Sequence, residues 1–306
     1  MGAHGMTADP SSRSSLLKAV GLFMGATFFA YLFSIFLHEL GHYLAGVLLG
    51  VPGKGIVLHP FGHNYNIYLG DLTTAFGTPG RRIFSGVAGT TFDLLITGTI
   101  GLALWRKRSP VLLPLLAMGS LALIHESVNM TMGVLKGSGD WSELSEVGVP
   151  GFVVILLAVV LLAAGCIWML QLLPLTGLSP RDPIWRKLAV FLAGMPLLML
   201  VSVVYLTLFW GDVYVPSHDG VTSRDGLRMD KAIFMGASTA LTVIVTLLHR
   251  PLLPWLDRMS HTPVARVRGR EVLIAIGLGL AIVIVQLVFF RDPGAVMLAV
   301  AGLGHQ

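Results

Sequence analysis

LKAVGLFMGATFFAYLFSIFLHELGHYLAGVLL, Leu17–Leu49, is an apolar stretch long enough to cross a lipid bilayer. Three ionisable side chains, His38, Glu39 and His42, lie in its later part. Each such group costs on the order of 3 kcal/mol at the centre of a bilayer, so a cluster of three indicates a functional site. The stretch therefore predicts a membrane-spanning first helix and marks where the chemistry of the chain lies.

The rest of the chain is equally apolar. Of its 306 residues 54% are hydrophobic and 12% are charged, whereas a soluble domain carries roughly 25% charged residues. This composition excludes an ordinary soluble enzyme, a disordered chain and a nucleic-acid-binding domain. We predict an all-α polytopic membrane protein, in contact with the lipid bilayer, with about seven transmembrane helices: Leu17–Leu49, Ile83–Trp105, Val111–Leu135, Phe152–Leu173, Leu188–Trp210, Ala232–Leu248 and Val272–Phe290.

The segments between these runs suggest three regions. Residues 1–15 are polar and rich in Gly and Ser, and we expect a disordered N-terminal tail. Residues 16–151 hold three spans and the ionisable cluster, and residues 152–306 form an additional transmembrane bundle of about four spans. The loop after the first span contains two β-like pieces, Ile56–Leu58 and Tyr65–Leu69, on either side of a turn, so a small β-like element is expected there.

Positive charges predict the orientation, because cytoplasmic loops carry an excess of Lys and Arg. A cytoplasmic N-terminus places most of these residues on one side: Arg13, Lys18, Arg106, Lys107, Arg108, Arg181, Arg186, Lys187, Arg250, Arg258, Arg266, Arg268 and Arg270. We therefore expect a multi-pass protein of the plasma (inner) membrane of a bacterium. In this orientation the ionisable cluster lies nearer the outer face.

The cluster has the pattern H-E-x-x-H. Residues i and i+4 share one face of a helix, so His38 and His42 can direct imidazole nitrogens at one metal ion. Glu39 follows the first histidine and can act as the general base toward a water molecule, with Zn²⁺ as the expected cofactor. Two alternatives need no metal: histidines hydrogen-bonded inside a helical bundle, or a degenerate site that has lost its ion.

The residues around this pattern resemble a known family. HELGH followed by Tyr43-Leu44-Ala45 looks like the zinc motif of the site-2 protease family of intramembrane metalloproteases. The segment Gly80–Leu95 is similar to the family's Leu-Ala-Gly-Pro-x-x-Asn segment, with Thr90 in place of the proline and Asp93 in place of the asparagine. The resemblance covers about residues 33–151 and implies a membrane-protein or transmembrane-peptide substrate. It also implies a strand-forming loop that pairs with unwound substrate.

The resemblance further implies that Asp140 is the third zinc ligand and that Asn129 contacts the substrate backbone. Topology agrees for Asp140, because spans one and three run in the same direction and His42 and Asp140 then lie at the same end. Two rivals for the third ligand stay open. Glu126 lies deeper in span three, and Asp93 lies near the start of span two; either could instead orient a ligand histidine.

These patterns together predict an intramembrane zinc metalloendopeptidase. One rival is a membrane protease of the prenyl-protein-processing type, which Glu126 as the third ligand would favour. The other is a non-catalytic pseudoprotease or metal-binding membrane protein. We expect no nucleic-acid partner.

Overall fold

The computed structural model describes residues 10–51, 53–61, 64–68, 76–137, 140–142, 144, 147–179, 182–208, 215–217, 220–222, 224–259 and 264–290. Seven helical segments within these ranges are long and apolar enough to cross a membrane: Leu16–Leu48, Pro79–Lys107, Pro110–Lys136, Gly151–Thr176, Ile184–Leu208, Arg228–His249 and Gly269–Phe289. The prediction of an all-α polytopic membrane protein is confirmed. The first helix begins at Pro10, inside the segment expected to be a tail, and residues 1–9 lie outside the described residues.

The helices are α1 (Pro10–Leu48), α2 (Pro79–Leu104), α3 (Leu113–Lys136), α4 (Gly151–Leu172), α5 (Ile184–Leu192), α6 (Met195–Leu208), α7 (Arg224–Met259) and α8 (Gly269–Phe289). The strands are β1 (Gly53–Val57), β2 (Tyr65–Tyr68), β3 (Val215–Ser217) and β4 (Gly220–Thr222). Short 3₁₀ turns lie at Trp105–Lys107, Pro110–Leu112 and Leu173–Thr176. Span five consists of α5 and α6. The third, fifth and seventh spans end on the same side of the molecule as α1.

The first and third spans form the centre of the molecule. In each of them 61% of the most apolar window is buried, against 17% in spans six and seven. The second span packs against both, and its start is set by local chemistry. Thr78 adopts extended backbone and its hydroxyl accepts a hydrogen bond from the Arg81 amide, while Pro79 occupies the first turn.

Helices α1 and α2 approach closely at the level of the H-E-x-x-H pattern. A Cβ added to Gly41 would lie 2.6 Å from the Ala88 carbonyl oxygen and 2.9 Å from the Cα of Gly89. Small residues let the backbones of transmembrane helices approach closely. The van der Waals packing that results stabilises the helix pair, since lipid provides no hydrophobic driving force between helices. This crossing positions α2 directly beside His38 and His42.

A β-hairpin follows α1, as the β-like pieces in the sequence predict. Strands β1 and β2 pair antiparallel, with Ile56 opposite Asn66 and Val57 opposite Tyr65. The chain after β1 contacts two later spans. The Leu58 amide donates to the Phe290 carbonyl oxygen at 3.4 Å, and the Tyr205 hydroxyl lies 3.3 Å from His59 Nε2. The C-terminal half of the chain therefore contacts the loop that borders the H-E-x-x-H end of α1.

Helix α8 also packs directly on α1. A Cβ on Gly25 would lie 2.5 Å from the backbone of Ala275, so the two helices touch through their backbones. Gln286, buried in α8, donates from Nε2 to the Leu32 carbonyl oxygen at 2.9 Å. Residues far apart in the sequence thus hold the helix that carries His38.

Candidate metal centre

Three side chains converge where α1, α2 and the segment after α3 meet. His38 Nε2 lies 3.0 Å from His42 Nε2 and 3.0 Å from Asp140 Oδ2, and His42 Nε2 lies 3.3 Å from the same carboxylate oxygen. His38 is 6% exposed and His42 is 9% exposed. Two buried imidazoles and a carboxylate thus direct one atom each at a common point, and the three could hold a metal ion.

The size of this triangle fits a small divalent ion. Zinc binds histidine nitrogen and carboxylate oxygen at about 2.0–2.1 Å, and a tetrahedral arrangement at that length separates its ligand atoms by roughly 3.3 Å. The observed separations of 3.0 to 3.3 Å agree closely with that spacing. Three protein ligands leave one position of a tetrahedral ion open, as in catalytic rather than structural zinc sites.

Each histidine is oriented by a partner on its other ring nitrogen. His38 Nδ1 donates to Glu126 Oε1 at 2.8 Å, and His42 Nδ1 donates to the Ser85 carbonyl oxygen at 2.7 Å. These contacts favour the tautomer that leaves Nε2 unprotonated as a ligand atom. The Thr90 hydroxyl donates to Glu126 Oε2 at 2.6 Å, so the fully buried carboxylate is itself held in place.

Asp140 reaches the histidines because the chain turns back sharply after α3. Gly137 ends that helix with a φ of 66°, a left-handed conformation that favours glycine. Asn129 Nδ2 donates to Asp140 Oδ2 at 3.2 Å, so the amide from α3 supports the carboxylate. Burial raises the pKa of the Asp140 carboxyl, but His42 and His38 outweigh it and hold that pKa well below its usual range.

Glu39 lies beside the two histidines and contacts the hairpin. Its Oε2 accepts a hydrogen bond from Asn66 Nδ2 at 2.7 Å. The general-base candidate is thus held by a side chain from β2, across 27 residues of sequence.

A second polar group lies behind the centre, deeper in the bundle. Asp93 is fully buried, and its Oδ2 accepts from the Ser34 hydroxyl at 2.5 Å. His125 Nδ1 lies 3.4 Å from Glu126 Oε1. Asp93, His125 and Glu126 could also hold an ion by their mutual distances, although Glu126 is already engaged by His38 and Thr90.

The structure brings together most of the residues that the sequence singled out. His38, His42 and Asp140 share one point, Asn129 supports Asp140, and Glu126 lies behind His38 rather than in the triangle. Asp93 lies outside the triangle, in the group with Glu126.

Sequence reasoning missed Asn66, Ser85 and Thr90 as partners of the centre. Thr90 stood out only as a departure from the family's proline. The Ser85 contact uses a backbone carbonyl, which no residue type signals.

No protein-family model, curated protein or solved structure matches this chain. What the molecule itself establishes is a multi-pass membrane fold with a buried group of side chains that could bind a metal ion.

Proposed function

We propose that the chain is an intramembrane zinc metalloprotease, similar to site-2 proteases, that hydrolyses peptide bonds of membrane-embedded substrates. The observation that carries the proposal is the triangle of His38 Nε2, His42 Nε2 and Asp140 Oδ2, with sides of 3.0, 3.0 and 3.3 Å. A glutamate follows the first of these ligands directly in the sequence. A helical bundle held together by packing alone has no need for His38, Glu39 and His42 in an apolar helix, where each ionisable group is costly.

The residues around the triangle have distinct roles in peptide hydrolysis. His38, His42 and Asp140 would hold the ion, which when bound supplies a Lewis acid that polarises a carbonyl and acidifies water. Glu39 takes a proton from the attacking water on a carboxylate oxygen and delivers it to the amide nitrogen as the C–N bond breaks. Glu126 and the Ser85 carbonyl keep the imidazoles oriented throughout. Asn129 donates to Asp140 and, by the family resemblance, would also contact the substrate backbone.

The position of Glu126 favours this function over a prenyl-protein-processing type of protease. In that class a downstream glutamate completes the metal site, but here Glu126 contacts His38 through Nδ1, on the opposite side of the ring from the triangle. Asp140 takes the third corner instead. A non-catalytic metal-binding protein would have the same triangle, and a measurement of turnover distinguishes it from a protease.

Metal content of the purified chain tests the centre. We expect about one zinc per chain in the wild type and none in His42→Ala or Asp140→Ala, since two protein ligands rarely retain zinc. Asp182→Ala is the matched control, because that carboxylate contacts Ser179 and Arg186 and belongs to neither candidate metal group, so its loss should leave the zinc bound. Zinc retained in Asp140→Ala but lost in Glu126→Ala would assign the third ligand to Glu126 and contradict the proposal.

Turnover separates an enzyme from a metal-binding protein. The probe is a synthetic single-span peptide with a Gly-Gly pair at mid-span, which lowers the cost of unwinding, and with a fluorophore and a quencher at its ends. Glu39→Gln keeps the size of the side chain and should keep the zinc, but it should lose a factor of about 10² to 10⁴ in rate. Cleavage at the wild-type rate by Glu39→Gln would exclude the proposed mechanism.

A further inference from the structure

The hairpin β1–β2 brings a polar side chain to the general-base candidate. Asn66 lies in β2 opposite Ile56 and donates from Nδ2 to Glu39 Oε2 at 2.7 Å. An ionised carboxylate can only accept hydrogen bonds, so the amide must present its nitrogen to Glu39. Its oxygen, Oδ1, therefore faces away from that carboxylate.

Asn66 Oδ1 is buried and has no hydrogen-bond partner among the described residues. Most buried side-chain acceptors are satisfied, and an exception calls for an explanation. The hydrogen bond to Glu39 fixes the orientation of the Asn66 side-chain amide, and it therefore also fixes the direction in which Oδ1 points. An unpaired acceptor that lies one side chain away from the general-base candidate indicates a hydrogen-bond donor from outside the described residues.

The chemistry around this oxygen favours a neutral donor. Asn66 Oδ1 is buried on a hairpin at the end of an apolar helix, where burying a further charged group is costly. A bound peptide brings one N–H for nearly every residue, and an unwound segment near Glu39 exposes those groups. A backbone N–H is therefore the donor that a protease substrate brings to this place.

We infer that Asn66 is a positioning residue that bridges Glu39 and a backbone N–H of the peptide substrate. This inference rests on the proposed protease function and deepens it. Nδ2 holds the Glu39 carboxylate, and Oδ1 accepts from the peptide. The bridge fixes the distance between the general base and the peptide backbone.

The contacts that hold the hairpin in place support this role. His59 is 4% exposed, and its Nε2 lies 3.3 Å from the hydroxyl of Tyr205 in span five. The Leu58 amide donates to the Phe290 carbonyl oxygen. A side chain on an anchored hairpin can define a distance, which a side chain on a free loop cannot.

Two inhibitors of different size test the bridge without knowledge of the natural substrate. Acetohydroxamate binds a metal ion and carries no peptide, whereas a leucine-rich tripeptide hydroxamate adds backbone N–H groups beside it. Binding of both is measured by absorption of the Co²⁺-substituted full-length protein. The variants are Asn66→Ala and Asn66→Val; the valine suits a strand and has no hydrogen-bonding groups. Asn64→Ala is the matched control, since Asn64 lies in the same hairpin and contacts His59 rather than Glu39.

We expect both Asn66 variants to bind the tripeptide hydroxamate about five- to tenfold more weakly, the effect of one lost hydrogen bond, and acetohydroxamate unchanged. Equal affinity of wild type and both variants for the tripeptide compound would overturn the bridge, with the metal centre intact. An equal loss in Asn64→Ala would assign the effect to hairpin conformation and also overturn it. Failure of the wild type to bind either compound would instead contradict the proposed function, and the inference with it.

Discussion

At the scale of single residues, the centre depends on a position that carries no side chain, Gly89, as well as on the side chains that would bind the ion. Gly89 on α2 faces both histidines of the triangle, His38 and His42. A Cβ added there would lie 2.4 Å from His42 Nε2 and 2.9 Å from His38 Nε2. These two nitrogen atoms would bind the ion, so a side chain at residue 89 would occupy space that the ion and its ligands need.

Gly89→Ala should therefore weaken zinc binding about 5- to 150-fold, because a methyl group forced into a packed site costs about 1–3 kcal/mol. The measurement is zinc affinity by competition with a chelator. Gly98→Ala on the same helix is the control, since a Cβ there meets nothing within 4 Å. Equal affinities in the two variants would mean that the histidines do not bind zinc through Nε2.

The residues of the centre were predictable to different degrees. His38, Glu39 and His42 follow from helical spacing alone, which is local. Asp140 came from the family resemblance, and the direction of spans one and three agreed with it. Asn66 was not predictable, since its contact with Glu39 depends on hairpin register and on anchoring by distant spans.

At the scale of elements, the hairpin β1–β2 was predicted from β-like pieces and turn residues, but its anchors were not. The ring of His59 packs against Phe61 and Tyr205. Tyr205 comes from α6, far along the chain, and aromatic residues in an apolar helix give no sign of their partner. Span five thus holds an element that belongs to the centre.

Tyr205→Phe should loosen the hairpin without affecting the metal. It removes the hydroxyl that lies 3.3 Å from His59 Nε2 and keeps the ring. The loss of one hydrogen bond is about 1 kcal/mol, so amides of residues 53–61 should exchange about fivefold faster. Hydrogen exchange by mass spectrometry measures this, with zinc content as the folding check.

Thr207→Val serves as the control for that substitution. Thr207 lies on the same helix, is exposed, and bonds only to its own helix through the Val203 carbonyl oxygen among the contacts described. Unchanged exchange in Tyr205→Phe, or the same acceleration in Thr207→Val, would show that Tyr205 does not anchor the hairpin.

At the scale of the whole molecule, the distribution of charge bears on which side of the membrane the centre faces. Lys136, at the end of α3 on the side of the centre, forms an ion pair with Asp230, so its charge is offset. On the opposite side Arg106 and Lys107 are exposed, as are Arg266, Arg268 and Arg270 before and within the first turn of α8. Lys and Arg near the ends of the spans favour the cytoplasm.

Not every basic residue in the sequence count contributes equally. Lys187 is fully buried, with its Nζ 3.4 Å from His249 Nδ1, and Arg186 pairs with Asp182 at 3.4 Å. The exposed residues that remain still lie mostly on the side away from the centre. The expected orientation has a cytoplasmic N-terminus and places the centre near the outer face. Fewer basic residues support it in the structure than in the count from the sequence.

Cysteine labelling of intact cells tests this orientation in the full-length chain. Cys166 is the one cysteine of the chain, and Cys166→Ala provides the background. Gly77→Cys places a thiol at an exposed position just before α2, on the side of the centre, and Lys107→Cys places one on the opposite side. A membrane-impermeant maleimide should label Gly77→Cys in intact cells and Lys107→Cys only after lysis. The reverse pattern would place the centre at the cytoplasmic face and overturn the expected orientation.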